Sequence, residues 1–378
     1  MKQLLIVSAL VMGLAQPAFA QGVLGKLGKA ADKAKGLSDQ LNDLVITDKE
    51  EQDMGAAISE KLREKYGVVQ SVPVHKYVAL VGKSLAASST RPGLPWTFVV
   101  LDTDGVNAFA APGGFVHITR GALALCENEA ELAGVLGHEI THITAKHTIN
   151  AIKKSKRVGA AAAAATRSDL LEQVVNQAYA DLLENAYDRG DEDQSDEVGI
   201  RMANTLGYAP SGLGAFLTRL SDRNKDLKEP SGVFASHPAT KSRVDRLTKQ
   251  TKNEKLTATA MVAARYKATI TYTPVPVTVV AGEAGSSSLA GSSAAAKPSA
   301  TPTPSSTPTP TPASKSRFGL GGLTSKMGPD KANTGTVASA GTRGVNPDRD
   351  AKGGADPRIV IVTLTPAELE AFRRGISG

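Results

Sequence analysis

Apolar and polar positions alternate at helical spacing from Lys49 to about Ser89, and then the rhythm changes. "WTFVVLD", Trp96 to Asp102, reads as a strand, and "GGFVHITRG", Gly113 to Gly121, as another behind a Gly-Gly turn. Two or three strands therefore precede the next helix, which carries its own start signal. Asn128 is a good N-cap, Glu131 stands at capping-box spacing, and Leu132, Val135, Leu136 and Ile140 supply an apolar face. The pattern predicts a helix from Glu129 to about His147. A long Ala-rich, helix-compatible region follows, Ala151 to Arg189, and its position suggests a lid. A second helix runs from about Asp191 to Leu206 and is ended by Gly207. Beyond "HPATKSRVDRL", His237 to Leu247, the stretch "YKATITYTPVPVTVV", Tyr266 to Val280, is β-prone.

The two ends follow other rules. Residues 1–20 have one Lys2, an apolar run from Leu4 to Ala15, and small Ala18 and Ala20 before a cut, the pattern of a signal peptide. The expectation is export to the periplasm, a mature chain starting near Gln21, and no lipid anchor, since no Cys follows the cut. No later stretch reaches the roughly 18 apolar residues that a spanning helix needs. Residues 21–47 form a lead-in helical segment with Leu24, Leu27, Ala31 and Ala34 on one face; four glycines weaken the alternative of a membrane-surface helix. After a metal-bearing domain over 48–250 and a β-prone extension over 251–280, residues 281–357 collapse to Ser, Thr, Pro, Ala and Gly. That composition predicts a disordered linker. Residues 358–378, "RIVIVTLTPAELEAFRRGISG", have a strand pattern, then Thr365 as N-cap, Pro366 at the first helical position and Glu368 closing a capping box. A segment so short must dock on something, and an envelope assembly partner is the candidate.

Composition narrows the classes. With 378 residues, 41% of them hydrophobic, the chain can bury one substantial core and a smaller second one. The formal charge is +7, but 11 Lys/Arg against 7 Asp/Glu lie beyond residue 280 and Lys2 leaves with the signal, so the folded part is nearly neutral. A nucleic-acid reader concentrates its basic residues on the folded domain, and this chain does not. The single Cys126 has no partner for an internal disulfide and reads as a small buried residue.

The chemistry lies in "GVLGHEITHITAKH", Gly134 to His147. Residues four apart on an α-helix are displaced by only about 40°, so His138 and His142 project side by side and can bind one Zn²⁺. Glu139 sits about 100° round from His138, beside the metal, where a carboxylate can take a proton from water; that is the arrangement of a zinc hydrolase. His147 is expected near half a turn round the helix, facing away, in a structural role. A catalytic site needs a third protein ligand. Ala145 and Thr148 stand where metzincins carry Gly and His, so it must come from elsewhere. "RGDEDQSDEVGI", Arg189 to Ile200, puts Glu192 and Asp196 on one helix face, as a ligand and the orienting partner of a ligand His. The same residues also suit an acidic, solvated helix start, and spacing alone leaves both readings open.

Taken together, these motifs resemble the zinc metallopeptidase family of the CAAX-prenyl endopeptidases, HtpX and BepA, most of all its secreted bacterial members. The resemblance covers about Asp48 to Leu247. It rests on "NAFAAPGGFVHITRGAL", "ENEAELAGVLGHEITH", "EDQSD" and "HPATKSR". It implies an α+β, mostly helical, gluzincin-type domain with a small β-sheet beside the metal-binding helix. It implies Glu192 as third ligand to one Zn²⁺ per chain, Asp196 as its partner, and His237 and Arg243 lining the site. Ser195 departs from the family's usual Ala, Thr141 from a small residue, and no helical repeats follow Leu247. The implied activity is endopeptidase cleavage of misfolded or stalled envelope proteins, with Glu139 as base. His237 is either a donor to the oxyanion or a ligand that blocks the open zinc position. Asn107, Ala108, Phe109 and Ala110 suit an edge strand that pairs with an extended substrate. A metal-containing chaperone or binding module with a latched or structural zinc is the competing class, and a chance match of "HEITH" the blandest.

Overall fold

The computed structural model describes residues 45–154, 166–184, 187–225, 241–276 and 356–376. The signal peptide, nearly all of the lead-in segment, part of the Ala-rich region, His237 and nearly all of the linker lie outside them.

The architecture is mostly helical with one three-stranded sheet. Helices α1 (Asp48–Tyr66) and α2 (Val72–Ala86) replace the single helical stretch expected there. Gly67, at φ 73°, caps α1, and Val68 then bridges to Leu101. Strands β1 (Thr97–Leu101), β2 (Ala108–Ala111) and β3 (Phe115–Thr119) lie in the order β1-β3-β2. β1 runs parallel to β3, Thr97 opposite Phe115, and β2 antiparallel to it, Ala108 opposite Ile118, so β2 is an edge as expected. Alternation of side chains divides the strands between two cores. Phe98, Val100, Ala108, Ala110, Val116 and Ile118 face one cluster. Val99, Leu101, Phe109 and Ala111 face the other, with Met54, Ile58 and Leu62 of α1. His117 also points that way, its Nε2 2.9 Å from Ser59 Oγ, and burial pushes its pKa down to about 3.

A short α3 (Arg120–Leu125) leads to the metal helix α4 (Glu129–Thr144), where Asn128 accepts from the Glu131 N–H. α5 (His147–Lys154) and α6 (Arg167–Glu184) follow; Ile152 of α5 and Leu171, Val174 and Ala178 of α6 join the second cluster. Then come α7 (Arg189–Thr205), α8 (Gly212–Asn224) and α9 (Lys241–Asn253). Contrary to expectation, α4 stops three residues before His147. Lys146 adopts a left-handed φ of 59° and extends its ammonium to the buried carboxylate of Glu51, 2.9 Å away. Cys126 is buried, which pushes its thiol pKa well up.

The β-prone stretch is corrected: its described part holds a helix, α10 (Ala263–Thr269), and no strand. Tyr266 donates its hydroxyl to the Leu123 carbonyl at 2.6 Å and Ile270 is buried, so packing overrides β-propensity. Among the described residues, the strand pattern of the C-terminal segment likewise finds no partner strand. Its residues lie extended across the domain: the Asp356 carbonyl accepts from Val68 N–H at 2.7 Å and the Pro357 carbonyl from Arg63 at 2.6 Å. The helix α11 (Pro366–Arg374) forms with its capping box intact. The segment docks on its own domain, burying Phe372 and Ile376 in the first cluster. Phe372 meets Tyr77 edge-on at 6.2 Å and lies under the Arg265 guanidinium at 4.1 Å. Among the described residues, no helix is long and apolar enough to cross a membrane.

This docking is expected to carry stability. Phe372→Ala should destabilise the domain by about 3 kcal/mol, read as a lower urea midpoint with an unchanged slope; a shift within error would mean that the segment is dispensable to the fold.

Candidate metal centre

α4 and α7 approach so closely that neither tolerates a side chain at the crossing. A Cβ on Gly137 would sit 2.9 Å from the Gly199 carbonyl oxygen, and one on Gly199 2.8 Å from His138 N. This contact brings the one-turn pair His138 and His142 of α4 against the one-turn pair Glu192 and Asp196 of α7. Glu192 Oε2 is 3.7 Å from His138 Nε2, and Oε1 is 3.4 Å from His142 Nε2. Asp196 Oδ1 accepts from His138 Nδ1–H at 3.0 Å. From the first turn of α9, Arg243 binds both acids, at 2.8 Å to Glu192 Oε2 and 2.6 Å to Asp196 Oδ1. All of these residues, with Glu139, are buried. Burial alone would raise the Asp196 pKa, but hydrogen bonds from His138 and Arg243 outweigh it and hold the carboxyl at about 2. Burial likewise opposes the charge on Arg243, and the same acids more than offset it.

His147 does not face away. Because the chain turns after Thr144, His147 comes back against the centre, its Nδ1 3.0 Å from His142 Nδ1 and its Nε2 3.0 Å from Gln194 Oε1. The amide oxygen of Gln194, with Asp191 Oδ1 at 3.6 Å, calls for a proton on His147 Nε2. Its Nδ1 then accepts, so His142 donates from Nδ1. Ser195, the departure from the family pattern, reaches the same His147 Nδ1 at 3.4 Å. The Tyr187 ring covers His142 with centroids 4.1 Å apart.

These tautomers test whether a metal fits. Both histidines spend their Nδ1 protons outward, leaving two Nε2 lone pairs facing each other 3.1 Å apart. Lone pairs so placed repel unless a cation lies between them. Two nitrogens on one tetrahedral Zn²⁺ are separated by about 3.3 Å, given bonds of about 2.05 Å. One donor atom from each of His138, His142 and Glu192 lies within 4.8 Å of the others. Charge argues the same way: Glu139, Glu192 and Asp196 are buried with one buried guanidinium, Arg243, while the half-buried Arg246 reaches Asp196 only at 3.6 Å. A divalent cation offsets that excess.

Sequence comparison agrees with the geometry. Residues 74–251 match the model of Peptidase family M48. The chain carries a peptidase family M48 domain. A putative beta-barrel assembly-enhancing protease of Vibrio cholerae is 28% identical over 201 residues, 50% of this chain and 42% of that protein. Metalloprotease YcaL of Escherichia coli is 29% identical over 203 residues, 52% and 74% of the two chains. The mitochondrial metalloendopeptidase OMA1 of Schizosaccharomyces pombe is 27% identical over 176 residues, 46% and 52%. The chain spans about half the length, or less, of the beta-barrel assembly-enhancing proteases it matches.

Within the M48 domain, then, His138, His142, Glu192, Asp196 and Arg243 come together as the sequence suggested, with Glu139 beside them. His237 lies outside the described residues. Of the edge-strand residues, Asn107 and Ala108 border the centre together with Glu139. The edge is partly occupied: Ala108 N–H donates to Asn107 Oδ1 at 2.8 Å, and the Ala110 carbonyl accepts from Thr148 at 3.3 Å. Phe109 points the other way, into the second cluster, stacked on Tyr66 at 5.9 Å. Sequence reasoning missed His147, Gln194 and Tyr187. Neither Gly nor Pro follows Thr144 to announce the turn that brings His147 back.

Losing the partner of a ligand histidine costs metal affinity about 10- to 100-fold. His147→Ala is expected to weaken zinc binding by that factor in chelator competition while the far-ultraviolet spectrum stays unchanged; equal affinity would return His147 to a purely structural role.

Proposed function

We propose that the chain is a zinc-dependent endopeptidase of the cell envelope, exported to the periplasm by residues 1–20, where it hydrolyses misfolded or stalled proteins. The observation that carries the reading is a buried carboxylate, Glu139, next to a three-donor set whose two imidazoles present lone pairs to a shared point. A purely structural metal site has no use for that extra acid.

His138, His142 and Glu192 would hold the metal, leaving one position open. Bound zinc supplies Lewis acidity toward a peptide carbonyl and toward water. Glu139 takes the proton of the attacking water and passes it to the leaving amine. Asp196 keeps His138 in the tautomer that offers Nε2, and Arg243 holds Glu192 and Asp196 in place. His237 belongs to the same reading, either as a donor to the oxyanion or as a ligand that occupies the open position. Asn107 to Ala110, at the sheet edge, would pair with the backbone of an extended substrate, displacing the side-chain contacts of Asn107 and Thr148. Recognition through backbone suits unfolded clients.

Glu139→Gln should bind one zinc per chain, as the unmutated protein does, and lose casein hydrolysis by about 10²- to 10⁴-fold. Zinc bound by both with cleavage by neither would favour a binding module with a latched or structural metal. His237→Ala separates its two roles: released activity marks a latch, and a further loss marks a donor.

A further inference from the structure

The C-terminal segment carries to the surface a stretch that folded domains usually cover. Residues 359–364, "IVIVTL", are six β-favouring residues with no charge, glycine or proline among them, the composition that adds strands most readily. Val360, Val362 and Leu364 pack inward on the two clusters, while Ile361 and Thr363 point out, Ile361 at 82% exposure. Both ends are anchored. The Asp356 carbonyl accepts from Val68 N–H at 2.7 Å and the Arg358 carbonyl from Gln70 Nε2 at 3.1 Å, and beyond Thr365 the Glu368 carboxylate pairs with Lys76. Between these anchors the backbone of residues 359–364 hydrogen-bonds to no other described residue. The segment is thus held extended with its strand edge unpaired. Protecting devices stand only at its ends, the Asp356 and Arg358 ion pair on one side and Pro366 on the other.

An edge of this kind accepts another strand, and its size says what sort. Six residues extend about 20 Å, and pairing along them covers far less than the roughly 800 Å² per partner that a stable folded complex needs. The margin adds little: Val72, 57% exposed, stands between the anchors Gln70 and Lys76. A contact made mainly through backbone reads little sequence and needs a partner whose own backbone is extended and unpaired. An unfolded polypeptide meets that condition along its whole length. The edge also lies apart from the metal centre. β2 borders the centre at one margin of the sheet; Val68, bridged to Leu101 of β1, lies at the other, and the segment begins beyond it. From β2 the path crosses β3, β1 and Val68, four strand spacings or about 19 Å.

We infer that residues 359–364 are an exosite that captures unfolded polypeptide by strand addition, with Ile361 as its apolar contact. Capture rests on the edge itself; that it feeds cleavage rests on the peptidase reading. A chain that pairs with the whole stretch and still reaches the centre needs about 12 residues or more. The exosite therefore serves proteins and long peptides and is invisible to short ones.

The test compares substrates of two lengths on the zinc-loaded full chain. Ile361→Lys, at an exposed position, should raise KM for casein about 10-fold, the scale of burying one Ile side chain, with kcat unchanged. Both constants should stay the same for an eight-residue peptide spanning a casein cleavage site. In zinc-loaded Glu139→Gln, labelled casein should bind about 10-fold more weakly once Ile361→Lys is added, and casein should slow hydrogen exchange at the amides of residues 359–364. Equal casein affinity with unprotected amides overturns the exosite and leaves the peptidase reading to the activity of the unmutated chain. An equal rise in KM for the short peptide places the effect of Ile361 at the centre and overturns the exosite too. Captured casein that the unmutated chain does not cleave overturns the peptidase reading instead. Amides already protected without casein, in a chain that sediments as a dimer, assign the edge to a second copy and overturn the proposal.

Discussion

Two carboxylates buried one turn apart, Glu192 and Asp196, set the terms for everything around them. Buried charges of one sign are tolerated only with partners, and stripping one partner from such a pair costs about 3–5 kcal/mol. Here the partners arrive from separate elements: His138 from α4 and Arg243 from α9. The requirement to satisfy these acids therefore places α9 on the centre. The missing side chains at Gly137 and Gly199 place α4 and α7 at the separation the contacts need. Removing the charge without moving the helices would leave the guanidinium as the orphan, so the group behaves as one unit.

How much of this was legible follows from how local each feature is. The cap at Asn128, the His138–His142 pair and the Glu192–Asp196 pair are properties of single helices, and helix geometry alone delivers them. That α7 turns its acidic face toward α4 instead of toward water is a tertiary fact. Spacing could not decide it; the resemblance of several motifs did. The end of α4 was illegible for a different reason. Its left-handed residue is a lysine, and what holds it there is Glu51 on α1, far away in sequence, which also binds Arg91 and the Gly113 N–H. The β-prone extension was misread because Tyr266 and Ile270 bury themselves on the core without a strand to join.

The sheet is too small to be a core of its own, yet it joins two. Its alternating side chains feed the cluster around the metal helix on one face and the cluster of α1 and α6 on the other. The C-terminal segment repeats that junction from outside: Ile359 and Val360 pack on the second cluster, Val362 and Leu364 on the first. Its alternating pattern, legible as a strand, is here satisfied by contact with two cores and a few backbone hydrogen bonds. The surface it leaves for any outside partner includes Ile361, which is 82% exposed.

The break between α4 and α5 shows why an imperfection in a helix can serve a site. On one continuous helix, residues five apart point about 140° away from each other, so His147 could not reach His142. Turning the chain at Lys146 brings the two rings together at the cost of a non-glycine residue in left-handed geometry, about 1–2 kcal/mol. The ion pair with Glu51 works against that cost from outside the centre. The return is a second histidine that fixes which nitrogen of His142 carries the proton, and with it which nitrogen is left for a metal. On the other ligand Asp196 does the same by plain electrostatics. One centre thus sets two tautomers by two means, a direct carboxylate acceptor for His138 and, for His142, a relay through His147 to Gln194 with Asp191 behind it. Only the first puts a carboxylate against the ring that faces the shared point.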